Sequence, residues 1–193
     1  MMNFKYPIGS TPLEQEELAQ LIPIHLTTQE ELNAWEEKNI LAAQKWAFRQ
    51  KEILSVAFVK KLHNQMFNET WKWAGEFRRS EKNLGINWQH IPVKVKELCD
   101  DVHYQLNHES YSKDEIAIRF HHRLVWIHAF PNGNGRHARL MADVLIVQQG
   151  GSRFSWGMHQ DLYKATAIRK QYIQALQSAD HGDYLDLLKF SRS

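Results

Sequence analysis

Twelve residues in the second half of the chain, His128-Ala129-Phe130-Pro131-Asn132-Gly133-Asn134-Gly135-Arg136-His137-Ala138-Arg139, place a base, two glycines and two guanidiniums close together. Gly133 and Gly135 lack Cβ atoms, so the backbone there can take positive φ and another group can approach closely. Just before a helix, such a turn gathers N–H groups into one concavity, where the helix dipole adds positive potential. Arg136 and Arg139 lie three apart in the expected helix and project to one side. Each offers a fork of donors suited to phosphate oxygens. His128 lies just upstream, and an unperturbed pKa of about 6.5 suits a general base near neutral pH. An anion cradle, two guanidiniums and one base suit phosphoryl or nucleotidyl transfer. The bland alternative is a Gly-Asn turn capping a helix, with surface arginines and a core histidine; the residues taken together favour chemistry.

The run resembles the signature of Fic proteins, His-x-Phe-x-(Asp/Glu)-Gly-Asn-Gly-Arg-x-x-Arg. Every fixed position matches except one, where Asn132 replaces the acid. The resemblance implies an adenylyltransferase that moves AMP from ATP to a Ser, Thr or Tyr hydroxyl of a target protein. In that scheme His128 takes the proton from the attacking hydroxyl. Backbone N–H groups of Gly133 to Gly135, with the Asn134 side chain, hold the α- and β-phosphates. Arg136 neutralises charge at the β-phosphate, and Arg139 reaches the γ-phosphate. The family's acid holds Mg²⁺ (or Mn²⁺), a hard cation that favours carboxylate oxygens. Asn132 is the corresponding metal position here and brings no charge. Two further readings therefore stand beside the first: a degenerate Fic fold that binds nucleotide or a partner, and a transferase of another phosphate-containing group.

The surrounding elements read as helices. Capping signals at Thr11-Pro12-Leu13-Glu14, Thr28 to Glu31 and Ser112 to Glu115 open three of them. Apolar stripes at helical spacing run through 28–49, 55–67, 93–107, 113–127 and 134–148, with Gly150-Gly151 as a stop. Two more helices are expected at 161–177 and 180–190. The Trp73-Ala74-Gly75-Glu76-Phe77-Arg78 stretch resembles the segment before the flap of Fic proteins. That resemblance makes Ser80 to Pro92 a β-hairpin over the mouth of the site, where a target would dock. The fold expected is all-α, a helical bundle of the Fic type with a small β-hairpin flap.

The 193 residues carry 24 Lys+Arg against 22 Asp+Glu, a formal charge of +2 that attracts neither nucleic acid nor membrane by itself. The single Cys99 excludes an internal disulfide and reads as a packed small residue. No apolar run approaches about 20 residues, so no membrane span is expected and the cytoplasm is the default. His121 and His122 diverge on a helix and His137 faces away from the arginines, which favours packing or solvent exposure over metal binding.

Residues 1–50 read as N-terminal helices and 51–193 as the catalytic core. Ile22-Pro23, Thr27-Thr28, Leu32-Asn33-Ala34-Trp35-Glu36 and the signature together resemble the Fic subgroup called mobile mystery protein B. That implies a link to mobile elements and a small DNA-binding partner; the chain itself carries no recognisable nucleic-acid-binding module, so no direct nucleic-acid binding is expected. Many Fic proteins carry an inhibitory glutamate that pairs with the second arginine of the signature. Glu36 is the candidate here, with Arg139 the expected partner; the alternative is a solvated acidic face of Glu30, Glu31, Glu36 and Glu37.

Overall fold

The computed structural model describes residues 11–157 and 166–193. Among the described residues there are eight α-helices: α1 (Gln15–Leu18), α2 (Gln29–Ala47), α3 (Val56–Phe67), α4 (Ile91–Asn107), α5 (Lys113–Ile127), α6 (Asn134–Gln148), α7 (Thr166–Asp180) and α8 (Leu185–Arg192). No strand longer than an isolated bridge, Leu21 to Trp71, occurs among them. The all-α expectation therefore holds, while the β-hairpin over 80–92 does not form. That segment is a loop closed by one 3₁₀ turn at Trp88–His90. Residues 161–165 of the expected seventh helix lie outside the described residues.

Local chemistry explains where the helices start. The Thr28 hydroxyl accepts from Glu31 N–H, and Glu31 returns its carboxylate to Thr28 N–H, closing a reciprocal cap on α2. Ser55 and Ser112 accept from the N–H groups of Phe58 and Glu115 and start α3 and α5. The signal at Thr11 fails. Helix α1 has four residues and takes Glu14 as its cap, because the Thr11 hydroxyl is engaged elsewhere.

Helices α5 and α6 form the centre, with α3 and α4 against them, α2 on α3, and α8 bridging α5 and α7. Phe120, Leu124 and Ile127 of α5 meet Met141, Val144 and Leu145 of α6 in one apolar core, all at least 96% buried. Cys99 lies in that core, its thiol pushed up to about 11 by burial, so it is inert as a nucleophile. Helix α2 is stitched to the end of α3 by Asn39, which donates to Gln65 O and accepts from Glu69 N–H, and by Trp35 Nε1–H to Glu69 O. No helix among the described residues is long and apolar enough to cross a membrane.

Three histidines are sealed in this core. His137 is held to about 4 by burial, and burial also drives His63 and His121 well below the ordinary imidazole value. All three are neutral in the fold but bind protons near pH 6.5 once unfolded. The unfolded chain thus takes up more protons, so stability is lost as pH falls from about 6.5 through about 4. Urea midpoints measured across that window should fall steeply, and His137→Gln should flatten part of the slope.

Candidate active site

The site is built on the connection from α5 to α6. His128 ends α5 in the left-handed region, φ 53° and ψ 58°, a conformation that costs a non-glycine residue about 1–2 kcal/mol. Its carbonyl is fixed by Arg78 Nε–H at 2.7 Å, and Arg78 N–H donates to Ala129 O at 3.0 Å. Phe130 turns into the core as expected and stacks on His63, centroids 3.7 Å apart. Gly75 N–H donates to His63 Nδ1 at 3.0 Å, which leaves the proton on Nε2 to bond Asn132 O at 3.0 Å. Gly133 has φ 80° and lies against Phe67; a Cβ there would come within 2.6 Å of that ring. Gly133 is the N-cap of α6 without a side-chain cap, so the first N–H groups of that helix are left for another acceptor.

Asn134 departs from expectation. Its amide oxygen accepts from Phe130 N–H at 2.9 Å, and its nitrogen donates to Phe130 O at 2.8 Å. Both ends are spent stapling the loop, so the side chain shapes the anion cradle and does not line it. The cradle is left to backbone N–H groups at Asn134, Gly135 and Arg136.

His128 is 92% buried, and desolvation, aided by nearby Arg78, lowers its pKa to about 4. Its ring bonds the Val125 backbone on one side and the Thr11 hydroxyl on the other, Oγ1 to Nε2 at 2.7 Å. A neutral ring whose remaining N–H serves Val125 presents a lone pair on Nε2, as a general base requires.

The two arginines have different partners. Arg136 Nη1 lies 2.5 Å from Glu36 Oε2, and its guanidinium covers the Phe67 ring at 4.8 Å. Glu36 is 96% buried and also accepts from Trp71 Nε1–H at 2.7 Å. The solvated-face reading therefore fails for Glu36, and so does the expected pairing with Arg139. Arg139 instead lies over Tyr172, 5.5 Å to the ring centroid, with a hydrogen bond between the two side chains. Tyr172 in turn meets His121 Nε2 at 2.9 Å. A Cβ on Gly135 would lie 3.7 Å from Arg139 Nη1 and 3.9 Å from the Tyr172 hydroxyl, so this pair flanks the first turn of α6.

The metal position offers little. Asn132 Oδ1 accepts from Gly133 N–H at 2.6 Å and lies 3.4 Å from Arg136 Nη2. Among the described residues no three His, Cys, Asp or Glu side chains cluster as ligands. These donors do not fit a protein-held Mg²⁺. His121, His122 and His137 are buried and bond Tyr172, Asp180 and Val59 O, in line with packing.

Sequence reasoning missed Thr11, read as a helix cap, and the part played by Arg78. Arg78 is buried and gives Nη1–H to Ser80 O at 2.7 Å and Nη2–H to Ile86 O, besides its bond to His128 O. Its only sequence signal is its place in the Trp73 to Arg78 stretch. Gly85 of the flap approaches His128 so closely that a Cβ would lie 2.5 Å from the histidine Cβ.

Comparison with known proteins shows which sequences and folds this chain is similar to. The model of the Fic/DOC family matches residues 53–146. A protein adenylyltransferase Fic of Aedes aegypti is 32% identical over 130 residues, which cover 60% of this chain and 22% of that protein. One of Nematostella vectensis is 28% identical over 128 residues, covering 61% and 26%. The chain thus matches about a quarter of the length of these curated relatives. Among solved structures, BepC of Bartonella tribocorum with bound AMPPNP superposes with a TM-score of 0.67 at 16% identity, covering 93% of this chain and 97% of that one. Fic-1 of C. elegans gives 0.62 at 21% identity, covering 81% and 48%. The fold is that of solved Fic domains.

The Asn134 staple carries a stability prediction. Asn134→Ala orphans the buried Phe130 N–H and C=O and should lower unfolding free energy by about 1–3 kcal/mol in chemical denaturation. Asn132→Ala, which leaves the half-buried Gly133 N–H beside solvent, should cost less.

Proposed function

We propose that this chain is a Fic-type protein adenylyltransferase, moving AMP from ATP to a hydroxyl side chain of a protein. The carrying observation is the neutral His128, with Nε2 bonded to a hydroxyl beside the uncapped start of α6. The relatives named adenylyltransferases and the neighbour holding AMPPNP support ATP as donor. The cradle N–H groups receive the phosphates, with Arg136 on one flank and Arg139, steadied by Tyr172, on the other. The acceptor hydroxyl gives its proton to His128 Nε2 while its oxygen bonds the α-phosphorus, and pyrophosphate leaves toward the arginines. Catalysis of this kind is mostly positioning and charge stabilisation. The exposed flap residues 83–85 offer the place for a target to dock. Asn132 provides no anionic ligand, so any divalent ion depends on the nucleotide's own phosphates.

A second reading, nucleotide or partner binding without useful turnover, draws on the Glu36–Arg136 pair, which competes with phosphate for one guanidinium. Turnover separates the two. With ATP labelled at the α-phosphate, wild type should label protein and ATP labelled at the γ-phosphate should not. His128→Ala should abolish labelling while leaving nucleotide affinity within about threefold, because the imidazole serves the attacking hydroxyl and not the phosphates. Equal labelling by mutant and wild type would remove His128 from the mechanism.

Glu36 makes the opposing prediction. Glu36→Gln keeps an acceptor for Trp71 Nε1–H but removes the charge facing Arg136. ATP should then bind about tenfold tighter, about 1.4 kcal/mol, by titration calorimetry. The free protein should lose stability, because the half-buried Arg136 charge no longer faces a carboxylate. Glu37 is exposed, and Glu37→Gln should change neither.

A further inference from the structure

The chain's own N-terminal strap occupies the position of the acceptor. Thr11 is 96% buried, and its Oγ1 lies 2.7 Å from His128 Nε2. The other side of the ring serves the Val125 backbone, so the threonine hydroxyl is the donor and Nε2 the acceptor. That is the bond an attacking hydroxyl must make with its base. Asn132, next to the cradle, donates its amide to Thr11 O at 3.4 Å, which brings the strap across the start of α6.

The strap is held by a built contact. Lys82 of the flap, its side chain 97% buried, pairs with Glu14 at 2.9 Å and Glu17 at 2.6 Å. Ser80 donates to Glu14 Oε1 at 2.9 Å, and Trp73 Nε1–H to Glu17 O at 3.2 Å. These bonds fix Glu14 and the single turn of α1 against the flap and Trp73. A helix-capping threonine would have spent its hydroxyl on a backbone N–H; this one spends it on the base.

We propose that Thr11 is an intramolecular acceptor, so that the chain adenylylates its own strap. The inference rests on the transferase reading above. Thr11 Oγ1 bonds the α-phosphorus of ATP, the bond from that phosphorus to the bridging oxygen breaks, and pyrophosphate leaves with the electron pair. His128 Nε2 receives the hydroxyl proton and later releases it to water. The product phosphodiester has no proton to return to Nε2, so Thr11 reacts once and then leaves the base free.

The full chain is incubated with ATP labelled at the α-phosphate, as wild type and as Glu36→Gln, and modified peptides are mapped by mass spectrometry. One adenylyl group is expected on Thr11, at a rate per molecule that does not change with protein concentration. Thr11→Ser should keep the label and Thr11→Ala should lose it with an unchanged circular dichroism spectrum. His128→Ala mixed in as a possible acceptor should stay unlabelled. Label on other residues with Thr11 unmodified would overturn this assignment and leave the transferase reading standing. Label appearing on Thr11 of the His128→Ala chain would also overturn it, since the transfer would then be between molecules. Label on no protein at all, including an added hydroxyl-rich polypeptide, would overturn both readings.

Discussion

A buried guanidinium holds the site together. Arg78 is fully enclosed and gives its protons to three backbone carbonyls, those of His128, Ser80 and Ile86. Its nearest carboxylate, Glu81, stays 3.9 Å away, so the charge is met chiefly by carbonyl dipoles. Burial accordingly lowers its pKa from the ordinary arginine value. An ion so placed tolerates little movement, because each lost carbonyl leaves a desolvated charge poorly met. The two limbs of the flap and the strained turn at His128 are thereby one unit. The left-handed backbone at 128 persists because its surroundings over-determine it: Arg78 takes the carbonyl, Leu124 O takes the N–H, and Gly85 leaves room beside Cβ.

Two contacts bring the N-terminal part of the chain to that unit from different sides. Glu36 of α2 reaches Arg136, on the flank where phosphate charge would gather, and Thr11 reaches His128, where an acceptor would sit. The Asn132 side chain lies between them, bonding Thr11 O and Arg136 Nη2, while Trp71 anchors only the first of them. Removing Glu36 changes the electrostatics of the cradle and leaves the base covered; removing the Thr11 hydroxyl uncovers the base and leaves Arg136 paired. Occupancy of the donor and acceptor positions is thus separable by substitution, because the first contact is a charge pair and the second a single neutral hydrogen bond.

The helices were legible because their signals are local. Apolar spacing located α2 to α6, and the Thr28 and Ser112 caps form as the sequence suggests, since each needs only residues three apart. The signature likewise brought His128, Gly133, Gly135, Arg136 and Arg139 to one helix start. What could not be read depends on long-range partners. Thr11 carries the same cap pattern as Thr28, yet its hydroxyl goes to a residue 117 positions away. Glu36 could be singled out as a candidate for an ion pair but not separated from a solvated acidic face, and its turn inward to Arg136 and not Arg139 needs the position of α2 over Phe67 and Trp71. The flap fails to form strands for a similar reason. The course of the segment is set by Arg78, a residue just outside it, which holds the carbonyls of Ser80 and Ile86.

Asn132 shows how one substitution serves this arrangement. Gly133 N–H donates to Oδ1, which fixes the amide and turns Nδ2 toward Thr11 O. An aspartate could accept from the same Gly133 N–H and would gain from Arg136 Nη2, 3.4 Å away. It could not donate to Thr11 O, however, and would set a carboxylate oxygen against that carbonyl with no proton between them. An anion suits a metal and a cationic neighbour; an amide suits a backbone carbonyl. In this chain the residue at 132 matches the strap, and the cost falls on the ability of the protein to hold a divalent ion by itself. On the protein's side, the charge of a bound triphosphate would then be met by the guanidiniums and the helix start, and Glu36 already holds one of those guanidiniums.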